Sequence, residues 1–303
     1  MTVTALVFDE QGRAALAGLE MVEPVVYEPG AGWPEQAAAA EVLVVPPRAQ
    51  LAGQLLAAMR ELPKLRMVQT LSAGTELWDG KLPDGVLLSN ARGANGGATA
   101  ELAMAGLLAL YREVPQFVAD QAAHRWNQHQ TETLDGQRVL VLGAGDLGQH
   151  LRAMLEPFGA TVTLAGRSAR DGVHAFDEVP GLIGEQDVVV IMVPYNDQTH
   201  HLVDQAFLAG MADQAVLVNV ARGPVVDTGA LLAELTARRL RAVLDVTDPE
   251  PLPSGHPLWD APGVLIFPHE GGATTGTDDR AWRVAAEQIG AFAAGDQPPN
   301  LVS

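Results

Sequence analysis

The chain has 303 residues, enough for about two domains that each bury a core. Asp and Glu outnumber Lys and Arg by 37 to 19, a formal net charge of -18, which disfavours nucleic acid and anionic lipid as partners. The absence of cysteine excludes disulfide scaffolds, zinc-thiolate sites and a thiol nucleophile.

The N-terminus MTVTALVFDEQG lacks a basic start followed by an apolar stretch, and runs such as VVVIMV at 188–193 are far shorter than a membrane span. These features predict a soluble, cytoplasmic protein with no membrane partner. In the first third, strand-like runs occur at TALVF, VVY, VLVV, RMVQT and VLLS, with helical spacing between them as in QLLAAMREL. From Ala98 to Arg125 apolar residues recur at helical spacing and are interrupted by Pro115, which fits one kinked helix or two helices. Six strand candidates follow, RVLVLG, ATVTLAG, DVVVIMV, AVLVNVA, RAVLDV and VLIFPH, separated by helix-length segments. Alternation of this kind predicts an α/β fold with a doubly wound parallel sheet. A last helical segment, DDRAWRVAAEQIGAFAAG, closes the chain.

Within VLVLGAGDLG, Gly143, Gly145 and Gly148 have the G-x-G-x-x-G spacing, preceded by a strand and followed by a helix and a second strand. Gly143 permits a tight turn, Gly145 lets backbone approach a pyrophosphate, and Gly148 lets helix pack on strand; the helix that begins with Asp146 and Leu147 offers its N-terminus to the anion. Cofactors without a 2'-phosphate have their ribose hydroxyls held by an acid about 20 residues further on. Gly166 stands at the corresponding place, followed by Arg167, Ser168 and Arg170. No carboxylate repels a 2'-phosphate there, and each hydrogen bond to a charged group contributes about 1.5 to 3 kcal/mol, so NADP(H) is favoured over NAD(H).

Downstream, Arg222 follows the strand AVLVNV, Glu250 follows RAVLDV, and His269 follows VLIF, all at the carboxyl ends of strands, where open α/β sheets bind ligands. Three strands thus deliver an arginine, a carboxylate and a histidine to one rim: a planar guanidinium can anchor an anion in two-pronged fashion, and an imidazole can exchange a proton, its charged form favoured by a neighbouring carboxylate. The adjacent pair His200 and His201 invites a metal reading, but neighbouring side chains on regular backbone point apart and no carboxylate cluster accompanies them, so no metal site is expected. His124, His129, His150, His174 and His256 show no partner pattern.

With GAGDLG, VPYNDQTHHLV, NVARG and its following VDTGALLAEL, LDVTDPEPLP and PHEGG in this order, the chain resembles the D-isomer-specific 2-hydroxyacid dehydrogenases, of the glyoxylate/hydroxypyruvate reductase kind. LSAGTELW at 71–78 and NARGANGGATAELAMAGLLAL at 90–110 extend the likeness more weakly. The resemblance implies a Rossmann domain, residues 95–274, inserted into a smaller flavodoxin-like substrate domain, residues 1–94 plus 275–303, with the active site between them. It implies Arg222 as substrate-carboxylate anchor, Glu250 as acid partner and His269 as general acid or base. Ala73 and Gly74 would bind the substrate carboxylate through their amides. Pro194, Thr199, Ala221, Asp245 and Gly271 would bind the cofactor, with Asp245 accepting from the carboxamide. It further implies a homodimer and a small anionic 2-oxo or 2-hydroxy acid as partner. Glu270, where the family more often has an apolar residue, and Arg92, in a glycine-rich segment, depart from the pattern and leave the substrate open. The alternatives are a non-catalytic NAD(P)(H)-sensing co-regulator and a formate- or phosphite-type dehydrogenase.

Overall fold

A computed structural model of the chain describes residues 2–302. The chain begins with five strands and two helices: β1 (Val3–Val7), α1 (Glu10–Leu16), β2 (Val22–Val26), β3 (Ala40–Val45), α2 (Ala52–Ala58), β4 (Met67–Thr70) and β5 (Leu87–Ser89). Two helices follow, α3 (Gly96–Tyr111) and α4 (Val114–Ala122). Then come β6 (Arg138–Leu142), α5 (Asp146–Leu155), β7 (Thr161–Gly166), β8 (Val173–Ala175), α6 (Val179–Leu182) and β9 (Val188–Ile191). The remainder is α7 (Gln205–Gly210), β10 (Val216–Asn219), α8 (Thr228–Thr236), β11 (Arg241–Leu244), β12 (Val264–Ile266) and α9 (Thr277–Ala294). The chain separates into two compact units, one built from residues up to Asn95 together with those from Thr275 onward, the other from Gly96–Thr274.

The first unit is a five-stranded parallel sheet in the order β2-β1-β3-β4-β5. Alternate residues of each strand serve opposite faces. Ala5, Val7, Val42 and Val44 pack with Leu16 of α1 and with Trp282, Ile289 and Phe292 of α9. Leu6, Leu43, Val45 and Val68 pack with Leu55 of α2, Met59 and Trp78. The contact between α1 and α9 requires a glycine, because a Cβ on Gly12 would collide with the Trp282 indole.

The second unit is a seven-stranded parallel sheet in the order β12-β11-β10-β9-β6-β7-β8. Six strands were expected; the seventh, β8, has three residues, too few for a period-two pattern to show. One face, with Leu140, Leu142, Val189, Ile191, Leu217 and Leu244, is covered by residues of α6, α7 and α8. On the other, Val139, Val141, Val190, Val218 and Val243 meet α3 and α5. Burial on both faces explains why these strands read as unbroken apolar runs. The helical stretch around Pro115 resolves into two helices: Glu113 takes a left-handed φ of 50°, and Pro115 sits in the first turn of α4, where its missing N–H is not needed. After α4, Asp120 accepts from Arg125 and Asn127 and fixes a loop that leaves Trp126 95% exposed, beside the exposed Val114, Phe117 and Val118. Among the described residues no helix is long and apolar enough to cross a membrane.

Candidate functional site

The glycine turn joins β6 to α5. Gly143 takes a φ of 122°, open to glycine, and a Cβ there would strike the carbonyl of Met192 at the end of the neighbouring strand β9. A Cβ on Gly148 would strike the carbonyl of Gly143, so α5 closes on its own strand only because both positions are bare. Gly145, the N-cap of α5, has no protein atom within 4 Å of where a Cβ would stand, and no side chain caps the helix. The first amides of α5, those of Asp146 and Leu147, therefore present the open, positively polarised donors that suit a pyrophosphate. The residues present fit a dinucleotide.

Beside this turn, β7 ends at Gly166, and the chain reverses through Arg167, Ser168 and Gly172 before β8. Backbone hydrogen bonds between Arg170 and Val173 close the reversal. Arg170 donates from Nη2 to the carbonyl of Ala144, 2.9 Å away, which lays its guanidinium against the glycine turn. The side chains of Arg167 and Ser168 are exposed. The start of α6 is held by Glu178, which accepts from the Ala175 amide and pairs with His174; the His174 hydrogen bond, assisted by that amide, holds the Glu178 carboxyl below the usual carboxylate range.

The loop after β9 is folded on itself. Buried Thr199 donates to the carbonyl of Pro194, 2.8 Å away, and Asn196 accepts from the amides of Gln198 and Thr199. The rings of His200 and His201 stack with centroids 4.1 Å apart, contrary to the expectation that neighbours diverge. The cause is the left-handed φ of 49° at His201, which turns consecutive side chains to the same side. The Tyr195 hydroxyl lies 3.2 Å from His200 Nδ1. Among the described residues no group of three or more His, Cys, Asp or Glu could hold a metal ion.

Arg222, Glu250 and His269 leave the carboxyl ends of three adjacent parallel strands, β10, β11 and β12, on one edge of the sheet. The turn carrying Arg222 is set by Asn219, a residue whose importance the sequence did not reveal. Its buried amide accepts from Ala221 N at 3.1 Å and donates to the Arg222 carbonyl at 3.0 Å. The Arg222 guanidinium donates to the carbonyl of Ala221, and a Cβ on Gly223 would collide with the carbonyl of Thr247, so this turn lies directly against the exit of β11.

Asp245, 3% exposed, anchors the loop that carries His269. Its carboxylate accepts from the amides of Glu270 at 2.7 Å and Gly271 at 3.0 Å, and its carbonyl accepts from the His269 amide at 2.8 Å. A Cβ on Gly271 would stand 2.8 Å from that carboxylate. The loop holds His269 at a φ of 58°, a strained conformation for a side chain of this kind. His269 Nδ1 lies 2.6 Å from Glu250 Oε1, with side chains 45% and 40% exposed. The carboxylate thereby orients the ring through Nδ1 and leaves Nε2 without a hydrogen-bond partner among the described residues.

In the first unit, Asn90 donates to the carbonyl of Ala73 and the Ser72 hydroxyl to that of Gly74, while the amides of Ala73 and Gly74 meet no acceptor among the described residues. Arg92 donates to the carbonyl of Pro299 and to Asn300 Oδ1, which ties two segments of the same unit together. Glu270 is exposed. His150 and His174 do have carboxylate neighbours four residues away, Asp146 and Glu178, visible only as i,i+4 spacing.

Residues 104–271 match the profile of the D-isomer specific 2-hydroxyacid dehydrogenase, NAD binding domain. The chain belongs to this family. It is 32% identical over 265 residues to a glyoxylate reductase of Aeropyrum pernix, covering 81% of this chain and 78% of that protein. The D-isomer specific 2-hydroxyacid dehydrogenase of Xanthobacter autotrophicus, solved in complex with NADPH and MES, is 29% identical, with a TM-score of 0.80 over 100% of this chain and 98% of the other. A family member from Aeromonas salmonicida is 27% identical, with a TM-score of 0.84 over 100% and 99%. As a member of the dehydrogenase family, the chain has a Rossmann domain for a nicotinamide cofactor.

Replacing Asp245 with Ala would leave two amides unpaired in the loop of His269, at about 1 to 3 kcal/mol each. The expected result is a lower midpoint in urea and faster hydrogen exchange at Glu270 and Gly271; unchanged exchange at both would contradict the anchoring role.

Proposed function

We propose that the chain reduces a small 2-oxo acid of the glyoxylate or hydroxypyruvate type to the D-2-hydroxy acid. The observation that carries this reading is the 2.6 Å hydrogen bond between His269 and Glu250. An imidazole so oriented gives its Nε2 proton to the carbonyl oxygen as C2 receives hydride, and the neighbouring carboxylate holds the ring in place for the transfer. The nicotinamide, when bound, supplies the hydride. Arg222 pairs with the substrate carboxylate, and the unpaired amides of Ala73 and Gly74 are proposed as further donors to it on that ground alone. Similarity to a glyoxylate reductase supports a small substrate.

The glycine turn and the amides of Asp146 and Leu147 hold the pyrophosphate. Pro194, Thr199, Ala221 and Gly271 line the nicotinamide half. Asp245, with two lone pairs still open after its two amide bonds, accepts from the carboxamide. Preference for NADPH rests on Arg167, Ser168 and Arg170, with no acid at the end of β7. A homodimer would use the exposed apolar face of Val114, Phe117, Val118 and Trp126 in the cofactor unit.

With glyoxylate and NADPH, initial rates followed by absorbance should show His269→Asn reducing kcat by about 10² to 10⁴ while the NADPH dissociation constant is unchanged. A kcat within twofold of the parent would remove His269 from the chemistry. Tight NADPH binding by the parent with no turnover of any 2-oxo acid would favour a sensor.

The double substitution Arg167→Ala, Arg170→Ala should raise KM for NADPH by about one to two powers of ten and leave KM for NADH nearly unchanged. An equal rise for both cofactors would show that these arginines do not read the 2'-phosphate.

A further inference from the structure

Asp146 is the first residue of α5, in the glycine turn itself. Its carboxylate lies against the start of α3, where a Cβ on Gly96 would collide with Oδ2. That oxygen is buried and has no hydrogen-bond partner among the described residues. The other oxygen has only a distant imidazole, His150 Nδ1 at 3.4 Å, and that nitrogen also faces the Asp146 carbonyl at 2.9 Å. A buried acceptor left unsatisfied is costly and calls for a reason. An anionic side chain in the first turn of a helix stabilises that helix when no ligand is present. It also occupies, with the same sign of charge, the surroundings in which a pyrophosphate is to bind.

We infer that Asp146 sets the cofactor affinity of this enzyme low: its carboxylate competes electrostatically with the pyrophosphate for the positive end of α5 and thereby favours exchange of the spent cofactor. This rests on the reading that the glycine turn holds the pyrophosphate. The Gly96 notch keeps the charge beside the turn without blocking it. Two like charges about 6 Å apart at an effective dielectric between those of a protein surface and water repel enough to change affinity by about tenfold.

The test is titration of the full-length protein with NADPH and with NADP+, followed by calorimetry, for the parent and for Asp146→Asn, which keeps shape and removes charge. At low salt the variant should bind both nucleotides about tenfold more tightly, and the difference should narrow, without vanishing, at 1 M salt, because a partly buried charge is only partly screened. Equal or weaker binding by the variant would overturn the inference, as would a difference that grows with salt. The control Gly145→Val, whose Cβ meets no protein atom within 4 Å, separates the two layers. If the parent binds and the folded Gly145→Val variant does not, the pyrophosphate reading stands whatever Asp146→Asn does. A parent that binds neither nucleotide would overturn that reading and this inference with it.

Discussion

A parallel sheet covered on both faces can offer polar groups to a ligand only where its strands end, and in this chain the buried Asp245 carboxylate fixes one such end. By accepting from Glu270 and Gly271 while its own carbonyl accepts from His269, one residue at the exit of β11 determines the path of the loop after β12. The imidazole then has a defined place, and Glu250, from the loop after β11, can meet it at 2.6 Å. Bare backbone does the same elsewhere on this edge. Gly143 against Met192, Gly148 against Gly143, and Gly223 against Thr247 are approaches that no side chain would permit. The proposed catalytic and cofactor-binding groups therefore ride on close contacts between main chains.

The electrostatics of the second unit run against the overall composition. A chain with a net charge of -18 must bind two anions, the cofactor and the acid substrate, in the proposed reaction. The charge is offset locally: Arg170 lies over the glycine turn, Arg222 stands at the end of β10, and the first amides of α5 are uncapped. Asp146 works in the opposite direction within the same turn. The balance of these groups, rather than the net charge, decides how tightly an anion is held.

Much of this organisation is legible in the sequence because parallel strands buried on both faces leave apolar runs, and because close backbone approaches demand glycine at set spacings. RVLVLG with GAGDLG, and the strand ends bearing Arg222, Glu250 and His269, needed nothing more. What was hidden depends on φ angles or on partners remote in sequence. The stacking of His200 on His201 follows from one left-handed residue, and no pattern of residue types announces it. Arg92 reads as a stray charge until the C-terminal segment carrying Asn300 folds beside it. Asn219 looks like an ordinary strand-end residue, although its amide sets the turn that carries Arg222. The three-residue β8 is held by its neighbour β7 and not by a pattern of its own.

In the proposed reaction, hydride and proton reach a 2-oxo acid at the carboxyl edge of the seven-stranded sheet. A single-turnover reaction with NADPH carrying deuterium at both C4 positions of the nicotinamide, with hydroxypyruvate as acceptor, is read by mass spectrometry and chiral chromatography. The expected product is a D-configured 2-hydroxy acid with one deuterium at C2. Oxidation of the cofactor without deuterium in the product, or a product of L configuration, would contradict it.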